Sequence, residues 1–70
     1  MGFTITAAEM KKFLEAMGFH AVSQNGSHLK MTDGARIAII PMHKGDMKSK
    51  TARSVLAQAG FDVNDVMSWR

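Results

Sequence analysis

Cysteine is absent from this 70-residue chain, and with it go disulfides, thiolate metal sites and a cysteine nucleophile. No apolar run approaches the ~20 residues that a transmembrane helix needs, so no membrane role is expected. The opening stretch from Met1 to Thr6 carries no basic run of the kind that starts a secretory leader; a cytoplasmic location is the expectation. There are no internal repeats and no low-complexity segments. The length leaves room for one domain, residues 1–70, which buries only about 60% of the surface its unfolded chain exposes. Proline occurs once, at Pro41.

What is present is ordinary for a globular protein: 46% hydrophobic and 21% charged residues, which argues against disorder. The formal charge is +3, and its distribution is uneven. Between His28 and Arg53, six cations (Lys30, Arg36, Lys44, Lys48, Lys50 and Arg53) face two carboxylates (Asp33 and Asp46), which gives +4; the remainder sums to −1. A basic middle segment points to a polyanionic partner.

Periodicity predicts a helix from about Ala7 to Met17. Thr6 and Glu9 form a T-x-x-E capping box, and Met10, Phe13, Leu14 and Met17 make an apolar stripe at i, i+3, i+4, i+7. Gly18 sits where a left-handed cap ends such a helix. Phe19 to Gln24 reads as a strand, and Asn25-Gly26 is a hairpin turn. In His28 to Thr32, Leu29 and Met31 share one face and His28, Lys30 and Thr32 the other. Asp33-Gly34 is a second turn. Arg36 to Ile40 is a third strand ended by Pro41, with Ile37 and Ile39 expected in the core and Arg36 on the outer face. A polar loop follows from Met42 to Lys48. A second helix runs from about Lys50 to Ala59, with Ser49 as N-cap, a stripe of Ala52, Val55, Leu56 and Ala59, and Gly60 as its end. Asp62 caps a last turn through Trp69. Methionines are core filler, except Met42 and Met47, expected to face a partner. The order α-β-β-β-α predicts an α+β domain, a three-stranded antiparallel sheet with two helices on one face and a short C-terminal helix.

His28 is the foremost candidate for chemistry. It follows a Gly-Ser turn and lies on the face that the core does not claim, with Lys30 two residues on. An imidazole, with an ordinary pKa of about 6.5, gives or takes a proton near neutrality, and an adjacent ammonium holds a phosphate. That pair suits RNA cleavage by attack of a 2′-hydroxyl on the neighbouring phosphate, with no metal or other cofactor required. His43, beside Lys44, reaches a phosphate or serves as a second proton-transfer group; His20 is a packed or edge residue. The histidines lack the i, i+4 spacing of a helical zinc pair. Lys48, Lys50 and Arg53 gather at the start of the second helix, where the dipole favours negative charge; this invites an anion such as a phosphate.

Three segments resemble one family, in order and at its spacing. Asn25-Gly26-Ser27-His28-Leu29-Lys30 is similar to the G-S-H motif of HicA toxins. Ile40-Pro41-Met42-His43-Lys44-Gly45 is similar to that family's V-P-x-H-x-G stretch. The run from Thr51 to Phe61 is similar to its closing T-x-R-x-I-x-x-Q-A-G-I segment. The chain departs from the family at Phe19, where many members carry tryptophan, and at Ser23, Gln24 and Asn25, where many carry a basic residue. The resemblance implies a fold like a double-stranded-RNA-binding domain and endoribonucleolytic cleavage of mRNA. It places the catalytic histidine at His28, and it implies a HicB-like antitoxin that covers the active site. Beside this reading stand two others: a non-catalytic RNA-binding module of the same architecture, and a pure interaction domain.

Overall fold

The computed structural model describes residues 2–70; Met1, the first residue of the stretch read above for a leader, lies outside them. The strands and helices are β1 (Ile5–Thr6), α1 (Ala7–Ala16), β2 (His20–Asn25), β3 (His28–Thr32), β4 (Ile37–Pro41), β5 (Asp46–Met47), α2 (Ser49–Ala59) and α3 (Val63–Trp69). β2, β3 and β4 form the expected antiparallel sheet with β3 in the middle. The arrangement is that of a double-stranded-RNA-binding domain. The loop expected from Met42 to Lys48 contains β5, which pairs with β1 through Ile5–Met47 and Thr6–Asp46. That pairing buries Met47, which was expected to face a partner.

Helix boundaries follow local chemistry. Thr6 Oγ1 accepts the Glu9 amide at 3.0 Å. The reciprocal half of the expected capping box is missing, because the Glu9 carboxylate is bound to Arg70 instead. α1 and α2 end alike. Phe19 N–H donates to Leu14 O at 2.9 Å and Gly18 N–H to Glu15 O at 3.1 Å; Phe61 N–H donates to Leu56 O at 2.8 Å and Gly60 N–H to Ala57 O at 3.1 Å. This double bond pattern reverses the chain behind each helix and returns a phenylalanine to the core. The Phe61 ring lies 5.3 Å from Phe13 and 6.3 Å from Phe19. Trp69 meets Phe13 edge-on at 5.5 Å, closing the core from α3. Asp62 and Asp65 make a complete capping box for α3.

One parity expectation is overturned. Ile37 and Ile39 are exposed (51% and 36%), whereas Ala38 and Ile40 are fully buried. The cause is register. Leu29 stands opposite Ile40 and Met31 opposite Ala38, and directly opposed residues share a face. Since Leu29 and Met31 point inward, the isoleucines at 37 and 39 must point out. Arg36 is corrected with them. Its guanidinium lies over Gly60 at the end of α2, where the helix dipole favours a cation. Met17, expected on the buried stripe, is also exposed. The first hairpin turn is shifted by one residue, since Asn25 pairs with His28. Gly26 and Ser27 are therefore the loop, and only Gly26 takes a positive φ, 62°.

Candidate functional site

His28 opens the central strand, flanked by Asn25 of β2 and Pro41 of β4, and is exposed on the face turned away from the core. β4 is an edge strand, and α2 runs beside it. Between them lies an open groove of about 390 Å³, lined by His28, Ile39, Pro41, Lys50, Thr51, Ser54, Val55 and Gln58. That size falls at the lower end of ligand clefts, ~300–1,000 Å³. The outward turn of the isoleucine thus has a consequence: Ile39 joins Pro41 and Val55 as apolar lining of a groove that an imidazole and an ammonium also line.

A second depression of about 370 Å³ adjoins the first and shares Pro41 and Thr51 with it. Its other lining residues are Ala7, His43, Gly45, Asp46, Met47 and Lys48. The β1–β5 ladder holds its far wall, and the His43 amide donates to Pro41 O at 3.0 Å. Each depression therefore carries one histidine and one lysine: His28 with Lys50, His43 with Lys48. The cation that accompanies His28 in its groove is Lys50 of α2. Lys30 lies further along the same outward face, opposite Ile39. Lys44 is exposed next to His43.

Arg53 is not brought to the His28 groove. It lines a separate depression with Phe3, Thr4, Val63, Met67 and Arg70. Its Nε donates to Ser49 Oγ at 3.3 Å. The expected Ser49 cap is absent, and Lys48 occupies the N-cap position with no side-chain bond to the helix amides. With no acidic residue in its first turn, this end of α2 stays electropositive. His20 pairs with Thr32 at the other end of the sheet, roughly 13 Å of strand away from His28. Among the described residues no three His, Asp or Glu side chains come together as a metal-ligand set.

Thr51, Ser54 and Gln58 were not singled out from the sequence. A signal was there: Lys50, Ser54 and Gln58 recur every four residues, a polar stripe beside the apolar one. Its relation to His28 depends on how α2 lies along β4.

A small α+β domain with a three-stranded antiparallel sheet, carrying histidines and lysines on an open surface, defines a protein with the double-stranded-RNA-binding-domain type of fold. The family model for the HicA toxin of bacterial toxin-antitoxin systems matches residues 7–61, and the chain belongs to that family. It is thus a toxin component, and an antitoxin is its implied partner. No curated protein matches the chain, and no solved structure does. No helix among the described residues is long and apolar enough to cross a membrane.

Proposed function

We propose that the protein is a metal-independent endoribonuclease that cleaves mRNA, with His28 as general acid/base. The observation that carries this reading is the position of His28, exposed and lining the α2–β4 groove together with Lys50. His28 takes the proton of a ribose 2′-hydroxyl, and that oxygen attacks the adjacent phosphorus; the P–O5′ bond breaks, a 2′,3′-cyclic phosphate forms, and the departing 5′-oxygen takes up a proton. Lys50 and Lys30 offset charge on the phosphate. His43, Lys44 and Lys48 hold the RNA backbone where it runs on over Pro41 into the second depression. Arg53 makes the outermost phosphate contact, on the side of α2 turned toward Phe3 and Met67. A HicB-like antitoxin neutralises the enzyme by covering this basic surface, and the work is done in the cytoplasm.

A positioned histidine contributes about 10²–10⁴-fold to such a step. Purified His28→Ala protein should keep its fold and its affinity for single-stranded RNA while cleavage falls by about that factor. An unchanged cleavage rate would remove His28 from the mechanism. RNA that is retained but never shortened by the wild-type protein would favour the non-catalytic binding module.

A further inference from the structure

Gln58 lies on α2 and lines the groove that His28 also lines. Its Oε1 accepts the backbone amide of Ile39 at 2.9 Å. Ile39 sits on β4, the strand at the sheet edge, so the glutamine satisfies an amide that no neighbouring strand can reach. The bond also settles which way the side-chain amide is turned, because an N–H requires an acceptor. The carbonyl end is committed to the strand. The NH₂ end has two donors and, among the described residues, makes no hydrogen bond to the protein. The same groove has Ile39, Pro41 and Val55 as apolar lining, against which a base ring can lie.

We infer that Gln58 is a specificity-determining residue for the proposed cleavage, donating to an acceptor on the base seated beside His28. A free glutamine reads adenine through both ends of its amide, accepting from N6 and donating to N7. Here the accepting end is already engaged. At the exocyclic position, C6 of a purine or C4 of a pyrimidine, Gln58 therefore favours the carbonyl oxygen of guanine or uracil over the amine of adenine or cytosine. This rests on the ribonuclease reading above and adds to it the feature of the substrate that the groove selects.

The test uses short single-stranded RNAs that differ only in the bases flanking one cleavage site. In Gln58→Glu one carboxylate oxygen still accepts from Ile39, but both donors are lost. The expected result is an unchanged melting temperature, with kcat/KM for the preferred base falling roughly 5–10-fold relative to the others, the worth of one hydrogen bond, so that the preference flattens. Ser54→Glu places the same charge in the same groove and should slow all the RNAs alike, leaving the preference intact. A Gln58→Glu protein that slows every RNA equally, as Ser54→Glu does, or that keeps the wild-type preference, overturns the inference. Binding of the same RNAs to His28→Ala protein, with and without Gln58→Glu, reads the preference without cleavage. If the wild-type protein cuts nothing but this binding preference exists and vanishes with Gln58→Glu, the ribonuclease reading fails and the role of Gln58 stands. If the binding preference is absent or unaffected, the role of Gln58 fails.

Discussion

The guanidinium of Arg70 grips the carboxylate of Glu9 through two parallel bonds of 2.9 Å, Nε to Oε2 and Nη2 to Oε1. The residues stand 61 positions apart in the chain. Arg70 Nη2 also donates to Thr4 O at 2.6 Å, and its cationic carbon lies 5.2 Å from the centre of the Phe3 ring. The last residue thereby ties α3 to the segment that leads into α1. The Glu9 carboxylate raises the Arg70 pKa above its ordinary value.

Replacing either partner of that clamp should lower the melting temperature. Arg70→Met should cost more than Glu9→Gln, because it also removes the contacts to Thr4 and Phe3. The double variant should fall little below Arg70→Met alone, which a double-mutant cycle followed by thermal unfolding would report as a coupling. Simple addition of the two losses would mean that the pair is not energetically linked.

Gly60 ends α2 at φ 86°, and a side chain there would also run into the Arg36 guanidinium. The backbone cost for Gly60→Ala is about 1–2 kcal/mol. Arg36 is a flexible neighbour and can move aside. In a domain of this size that corresponds to a loss of several degrees in melting temperature, at about 4–8 °C per kcal/mol. Calorimetry on Gly60→Ala and on Gly60→Ala/Arg36→Ala separates the two contributions, and the second replacement should restore little.

Asp33 holds the β3–β4 turn. Its Oδ1 accepts from Arg36 N at 2.7 Å and from Ala35 N at 2.9 Å, and these bonds to the ionised form lower its pKa. A carboxylate depressed in the folded state stabilises fully above its unfolded pKa, about 3.9. That stabilisation is lost as pH falls through the lower, folded value. The stability gap between the wild-type protein and Asp33→Ala should therefore be flat above about pH 5 and close at lower pH. Urea titrations at stepped pH measure it, and a gap that widened on acidification would contradict the turn's dependence on the charge.

Cations that meet RNA phosphates should show in the salt dependence of binding. Each contact to a single strand contributes about 0.7 to the slope of log affinity against log salt. Lys50→Ala and Lys30→Ala should each reduce the slope by about that amount. Arg36→Ala should leave it unchanged, because Arg36 sits over the end of α2. Fluorescence anisotropy at several salt concentrations would check this, and equal slopes for all three variants would argue against the surface assigned to RNA.

Much of this molecule is written locally. Thr6, Gly18, Gly60 and Asp62 bound their helices through bonds within a few residues, so the helices could be read from one stretch at a time. The inward pair Leu29 and Met31 was legible because their polar neighbours leave no choice. The run Ile37-Ala38-Ile39-Ile40 is apolar on both faces and contains no such instruction; the count of isoleucines pointed the wrong way. Ser49 is not a cap because α2 begins one residue earlier than expected, at Ser49 itself with Lys48 as N-cap, and its Oγ accepts from Arg53 Nε instead.

By itself, then, the chain determined the order of its three main strands and three helices, the start of α1 and α3 and the glycine ends of α1 and α2, its family and the outward placement of His28, because each depends on neighbours in sequence or on a short motif. Only the packed structure decided that Ile39 lines the groove with His28, that Lys50 rather than Lys30 does so too, that Gln58 turns its amide toward β4, and that Glu9 is matched with Arg70. Those relationships join residues from 11 to 61 positions apart. They arise from strand register and from the path of α2 along the sheet edge, which no single segment encodes.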